Sequence, residues 1–519
     1  MTKRIKNTAT ALSVAVIMLV GSNAFAKPSV LVNAAGSSGA FQAFALAALQ
    51  GTCGTNSWTK KSTAAGVDGR SASIPLEVGN IWIIWDNAKT KVCSYLAVDS
   101  VIGQQLFFAV PRATLSIPAS SIGTAGDNLI PTQTDTTLDS AVYSALNGKV
   151  FNAAPTDIRP EDALFAENRA LASLNSSYSG LGYGPGPIGT PIVSTFSGST
   201  STPVAFNLTG NDPITGQTVK SYTTTNVGAQ AVMVVVNNLQ TGSKGNFSNV
   251  AAFQNVNRFD LTQAVNGTYG STRDLSSASG LPAVPLNVIL REPTSGTYNT
   301  MEFNIPRNLE FNSTQELGVN PGAGGNNNPL NLPNSGGGWR KRAIGNGEEL
   351  KQVANSANGD VIGYGFWSTG NFAAYVDDVR YLTVDGVDPL FSSYSGGFFP
   401  TCTIPCPGIV QFTNVLNGSY PIWNVLRVTT SKPIPSGVSS LIAAAQSAVV
   451  NVSPDFVPIN AMNVFRSHFS RPESKRPISN GHISGVPEAG GDVGGTVITV
   501  QADLDNVADT GKEFIGFKQ

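Results

Sequence analysis

Apolar positions in this chain follow two rhythms. Short β-branched or aromatic runs bounded by Gly, Pro, Asn or Asp predict strands, and apolar residues spaced for one face of a 3.6-residue turn predict helices. Pro28–Asn33 reads as a strand that enters a Gly/Ser loop, Ala34–Phe41, followed by an Ala-rich helix over Gln42–Leu49. Ile81–Trp85 and Val92–Leu96, separated by a turn at Asp86 and Asn87, read as a β-hairpin. It feeds Val98–Gly103, with Gln104–Ala109 helical and Ser100 at a helix start. Thr136–Leu146 reads as a helix, Val150–Asn152 as a short strand and Ala163–Leu174 as a helix. Asp157 thus falls where a strand gives way to a helix. Ala229–Asn238 is an almost unbroken apolar run, as a strand buried on both faces requires.

In the second half, Phe259–Ser276 holds a helix ending at Asn266 and Gly267, and Leu286–Arg291 is a strand ahead of a helical run, Tyr298–Phe303. Asn346–Ser356 reads as a helix, and Gly359–Trp367 as a turn and strand. Tyr381–Gly386 and Asn424–Thr429 read as strands and Ser436–Val449 as a helix. Gly180–Asn226 and Gly322–Gly338, rich in Gly, Pro, Ser, Thr and Asn, read as an insertion and an exposed loop. Strands alternating with helices imply an α/β fold, and 519 residues allow about two to four domains. No internal repeat is visible.

The first segment changes the picture. Met1–Ala26 has three basic residues, an apolar core over Ala9–Val20 and a small-residue cleavage site at Ala24–Ala26, the pattern of a secretory signal. Losing Lys3, Arg4 and Lys6 takes the formal charge from -1 to -4, which leaves no electrostatic footprint for nucleic acid. No later stretch is apolar for long enough to span a bilayer. The expectation is an exported, periplasmic protein, with secretion or a surface location as the alternatives. Charged residues make up 13%, about half the usual share. The four cysteines then pair in an oxidising compartment, with Cys53–Cys93 and Cys402–Cys406 the expected bridges, in preference to a four-cysteine zinc site.

Candidate chemistry centres on Arg291 and the loop Ser295-Gly296-Thr297. A strand ending in arginine, then a small-residue turn, then a helix start places unpaired N–H groups and partial positive charge together. Gly296 permits close backbone approach, Ser295 and Thr297 supply hydroxyls, and Arg291 supplies a fork suited to paired oxygens. The competing interpretation is an ordinary N-cap and a surface arginine. With only His468 and His482 in the chain, a histidine-based triad or metal centre would have to use one of them. No base lies near the serines of Gly36–Gly39, so no catalytic residue is assigned and the chain is read as a non-enzyme. Gly36–Gly39 has no following Lys-Ser/Thr and lacks the dinucleotide fingerprint, so no cofactor and no metal are expected.

The order of these loops resembles the phosphate-binding proteins of ABC transporters, with a type II periplasmic binding-protein fold. The motifs that carry the resemblance are Gly39-Ala40-Phe41, Asp99-Ser100, Thr156-Asp157, Arg291 with Ser295-Gly296-Thr297, Gly359–Tyr364 and Tyr420–Ile422. It implies a two-domain α/β protein with a ligand cleft between the domains. Residues 27–230 begin the first domain (insertion about 180–226), 231–420 form the second, and 421–519 return to the first and end in a tail. It implies that Ala40 and Phe41 give backbone N–H donors and Ser100 a hydroxyl. Asp157 would accept the ligand's proton, Arg291 would form the charged fork, and Ser295, Gly296 and Thr297 would complete the cradle. The family carries a hydroxyl where this chain has Ala40, and Ser37 or Ser38 is the candidate replacement. The implied partners are phosphate or a related oxyanion and an ABC permease. The alternative is a non-transport extracellular or surface-assembly protein that kept the fold and lost the ligand. On this basis Arg291→Ala is expected to remove binding without unfolding the chain.

Overall fold

The computed structural model describes residues 27–61, 79–108, 112–158, 222–238, 245–265, 267–291, 295–305, 332–333, 338–343, 345–355, 359–467 and 514–517. The signal segment, the helix expected at 163–174, most of the two low-complexity stretches, and both histidines lie outside the described residues. The first half contains β1 (Ser29–Gly36), α1 (Phe41–Ala47), β2 (Asn56–Lys60), β3 (Ile81–Trp85) and β4 (Lys91–Ala97). They are followed by α2 (Ser100–Phe108), α3 (Ser140–Leu146), β5 (Ala153–Thr156) and β6 (Tyr222–Asn237). Next come β7 (Asn255–Val256), α4 (Arg258–Val265), β8 (Leu286–Arg291), α5 (Gly296–Asn304), β9 (Leu332–Pro333), β10 (Trp339–Ala343) and α6 (Asn346–Ala354). The rest are β11 (Asp360–Phe366), α7 (Thr369–Ala373), β12 (Val379–Val384), α8 (Thr413–Leu416), β13 (Trp423–Ser431), α9 (Ser436–Asn451), β14 (Val457–Pro458), and a hairpin of β15 (Val464–Ser467) and β16 (Phe514–Phe517).

The fold is α/β, as expected. Fourteen strands form one mixed sheet, whose main path runs β2-β3-β4-β1-β5-β13-β6-β11-β8-β10-β9. β1 is parallel to β4 and β5, and β8 is parallel to β10 and β11. β6 joins these two groups. Its first part pairs with β13 up to Ala231, opposite Trp423, and from Val232 onward it pairs with β11. An apolar run of this length has partners on both sides and is buried throughout its second half.

Helices cover the sheet where their apolar faces require it. On α9, Val438, Leu441, Ile442, Ala445 and Val449 recur at helical spacing and pack with Ala43, Phe44 and Ala47 of α1 in one buried cluster. Cys53–Cys93 ties the end of the α1 segment to β4, and Cys402–Cys406 closes the small loop, the two expected pairings. α2 lies so close to β1 that a β-carbon on Gly103 would overlap the backbone of Ala35 and Gly36.

Several expected boundaries moved: α2 starts at Ser100 and not at Gln104, β6 starts at Tyr222 and not at Ala229, and β12 spans Val379–Val384. The strand placed at Val150–Asn152 is β5, Ala153–Thr156. Asn152 instead grips β1 with its side chain, accepting from Asn33 N at 2.9 Å and donating to Leu31 O at 3.3 Å. Pairing with β1 begins one residue later, at Ala153. Pro155 hides the strand in the sequence, because proline removes a ladder donor. The helix expected from Thr136 starts only at Ser140, where Asp139 caps it by accepting from the Ala141 and Val142 amides.

Gly103→Val is expected to lower stability by about 1–3 kcal/mol through overpacking at the α2–β1 contact. A reduced urea midpoint at unchanged m-value checks it.

Candidate functional site

The C-terminal ends of the parallel strands bring the expected residues to one place, the position at which α/β sheets bind ligands. The loop after β1 holds Ala40 and Phe41. The turn after β4 holds Asp99 and Ser100, Asp157 follows β5, and Arg291 ends β8 just before α5. All of these are buried.

The loop after β1 is fixed by its carbonyl groups. Tyr95 donates its hydroxyl to Ser37 O at 2.5 Å, Trp82 Nε1 donates to Phe41 O at 3.0 Å, and Gln230 Nε2 donates to Gly39 O at 3.1 Å. The Ala40 and Phe41 amides turn inward, bonding to the Ser37 and Ser38 carbonyls within a 3-10 turn. They join the rest of the site through Tyr95, whose buried hydroxyl is pushed well up in pKa by desolvation and by the charges of Asp157 and Asp99.

The remaining six residues meet directly. Ser100 Oγ donates to the Asp157 carboxylate and accepts from the Asp157 amide at 3.3 Å. That carboxylate lies against Gly296, the first residue of α5, where any β-carbon would overlap it. Ser295 caps α5, its Oγ accepting from the Thr297 and Tyr298 amides at 3.1 and 3.4 Å. The N-cap role is therefore present, and the site is built around it. Thr297 Oγ1 accepts from Arg291 Nη1 at 3.1 Å.

Arg291 is wholly enclosed and bracketed by carboxylates. Asp99 Oδ1 lies 3.4 Å from Nη2 and Glu349 Oε2 lies 3.7 Å from Nε. Glu349 is held by its other oxygen, which accepts from the Tyr364 amide at 2.6 Å. Asp99 has φ 69°, a left-handed backbone that aspartate tolerates better than most residues. Sequence reasoning named Asp99 without giving it a role, and missed Glu349, Arg427 and Asn424. A charge and an amide inside the apolar strand Trp423–Ser431 were the available signal for the last two. Asn424 Nδ2 donates to Thr300 Oγ1 at 2.9 Å and to Asp157 O at 3.4 Å.

These contacts revise the expectation for Arg291→Ala. Removing the guanidinium would take a buried ion-pair partner from Asp99 and Glu349, and breaking such a pair typically costs about 3–5 kcal/mol. The variant is expected to be strongly destabilised, as a lower urea midpoint, so loss of binding in it would not isolate the site.

Asp157 is the titrating member. Desolvation is the largest influence and raises its pKa to about 7, against the opposing pull of its backbone and of Arg291, Arg427 and Asn424. The site can thus hold a carboxyl group in either protonation state near neutral pH, over a helix N-terminus and beside two guanidinium groups.

No protein-family profile matches the chain, and no curated protein matches it by sequence. Solved structures do match. PstS from Borrelia burgdorferi is 11% identical, with 83% of this chain and 99% of that one covered, at a TM-score of 0.32. A human phosphate-binding apolipoprotein is 13% identical over 83% of this chain and 92% of that one, at 0.35. An ABC-type phosphate transport receptor from Vibrio cholerae is 13% identical over 44% and 67%, at 0.25. Similarity of this degree transfers no residue roles.

The raised pKa sets a pH dependence. The folded chain holds a proton on Asp157 that the unfolded chain has released, so this contribution is complete below pH 3.8 and is lost as the pH rises to about 7. Asp157→Asn is expected to gain stability relative to the parent across that window, by about 1.4 kcal/mol per pH unit, and to run parallel to it above. Urea midpoints of the two proteins at stepped pH check this.

Proposed function

We propose that the chain is an exported binding protein that captures hydrogen phosphate, or a similar tetrahedral oxyanion, between its two strand groups and passes it to an ABC-type permease. In this reading 27–230 with 421–519 form one lobe and 231–420 the other, and the anion clamps them together. The supporting observation is the buried Asp157 carboxyl, with its pKa near 7, packed on the first residue of α5 beside Arg291. A helix N-terminus and a guanidinium attract an anion. A carboxylate at the same spot repels any anion that cannot offer it a proton. Hydrogen phosphate has such a proton and sulfate has none, so Asp157 serves as the filter once the pH is above about 7 and its carboxyl is ionised; below that the neutral carboxyl can itself donate to sulfate. Asp99 and Glu349 keep Arg291 in place and offset its charge, which tightens this demand for a protonated ligand.

A second reading has an observation of its own. Arg291 already has Thr297, Asp99 and Glu349 around it, and Asp157 already lies on the α5 N-terminus. A self-neutralised cluster of this kind also serves a protein that only locks its halves together, as an extracellular scaffold would.

Calorimetric titration of the refolded, anion-free protein distinguishes them. At about pH 8, where Asp157 is ionised, phosphate is expected to bind at micromolar Kd or tighter, about -8 kcal/mol, with sulfate excluded, and Asp157→Asn is expected to admit sulfate. A folded protein that takes up neither anion supports the scaffold reading, and an Asp157→Asn protein that still excludes sulfate removes Asp157 as the filter.

A further inference from the structure

A cleft of about 200 Å³ opens on the loop after β1. One wall is the loop after β1, with Ser38, Gly39 and Phe41, and the other comes from α6 and α7, with Gly347, Ser368 and Tyr375. The cleft therefore uses the loop after β1, and Gly39 of that loop is linked to Asp157 through Gln230 and its cross-strand neighbour Asn424. Its chemistry differs from that of the Arg291 cluster. Amides and hydroxyls line it together with Lys61 and two aromatic rings, and among the described residues it has no carboxylate.

The buried amides around this region are incompletely satisfied. Gln42 Nε2, in the cleft lining, and Gln230 Oε1 are buried atoms with no hydrogen-bond partner among the described residues, and Asn424 Oδ1 is a third. Gln230 and Asn424 are fully buried and directly opposite each other on β6 and β13, hence on one face of the sheet. Gln230 fixes Gly39 of the cleft wall, and Asn424 holds the Asp157 carbonyl. Their amide nitrogens are committed by those bonds, so the unused atoms are acceptors. Neither acceptor belongs to the cleft lining; the unpaired group that does is Gln42 Nε2, a buried donor whose cost a ligand acceptor recovers. Free phosphate, confined to the seat, satisfies none of the cleft groups.

Resting on the oxyanion reading, we propose that the physiological ligand is a phosphate monoester or phosphonate with a small hydroxylated organic group, and that this group occupies the cleft. Hydroxyls both donate and accept, which matches an exposed mixture of amide N–H and C=O groups, and the faces of Phe41 and Tyr375 suit the C–H surface of a polyol. The volume suits a small group. It lies below the roughly 300–1,000 Å³ of sites for drug-sized ligands, so a group of a few carbons fills it.

Calorimetry with two probes, sn-glycerol 3-phosphate and inorganic phosphate, tests this on the full-length protein. Glycerol 3-phosphate is expected to bind at least about tenfold tighter than phosphate. Ala374→Trp, at an exposed position of the cleft lining, fills the space and is expected to abolish that advantage while leaving phosphate affinity within about twofold. Gln42→Leu, which removes a cleft donor at similar volume, is expected to act in the same direction and guards against a misfolded tryptophan variant. Phosphate binding as tightly as glycerol 3-phosphate to the parent protein overturns the inference and leaves the oxyanion reading standing. A glycerol 3-phosphate advantage that survives both substitutions overturns the cleft as its source. Binding of neither probe to folded protein overturns the oxyanion reading and this inference with it.

Discussion

The structure depends on how it keeps charge buried. Arg291 sits at the end of β8 with no exposure to water, and the groups that make this tolerable come from distant parts of the chain. Asp99 approaches from the turn after β4, Glu349 from the first turn of α6, and Thr297 from α5. An enclosed guanidinium is stable only with good partners, and each carboxylate partner loses a buried counter-charge if the guanidinium is removed. The contact between Asp99 and Arg291 joins the two strand groups, so the electrostatics of the site and the closure of the protein are one problem. Asp157 is the member left with an unfavourable environment, and its pKa near neutrality is the consequence.

Small residues supply the geometry. Gly103 lets α2 settle on β1, which sets the height of Asp99 and Ser100 above the sheet. Gly296 lets the Asp157 carboxylate reach the start of α5. β6, paired with β13 in its first part and with β11 in its second, holds the two sets of parallel strands in one sheet, so that their C-terminal ends face a common space. The position of the site therefore follows from strand order, and its chemistry from the few side chains that the strand ends present.

Much of this was legible in the chain itself. The hairpin of β3 and β4 was written in two aromatic and β-branched runs around Asp86 and Asn87, and the second half of β6 in an apolar run with few polar interruptions, while its polar first part, from Tyr222, fell in the stretch read as an insertion. The disulfides followed from four cysteines and from reading Met1–Ala26 as an export signal. Asp157 and Arg291 were visible as charges at strand ends, although grouping them needed the resemblance to a known order of loops. The charge partners were not legible. Asp99 and Arg291 are 192 residues apart, and no local pattern reports that contact. Glu349 resembles any acid in a first helical turn, where the helix dipole favours it. Arg427 and Asn424 stand in a strand whose burial on both faces appears only once β5 and β6 flank it. Pro155 concealed β5 for the opposite reason, a local rule overridden by tertiary pairing.

The central claim is that an oxyanion bridges Asp157 and the start of α5 with Arg291 beside it. Crystals grown with arsenate, a tetrahedral analogue of phosphate whose arsenic scatters anomalously, test it most directly. The account predicts a single strong anomalous peak within hydrogen-bonding reach of the Gly296 amide, Arg291 and the Asp157 carboxyl. An anomalous map that is empty there, with Asp157 still packed on Gly296, would contradict it and leave the cluster as a lock between the two halves.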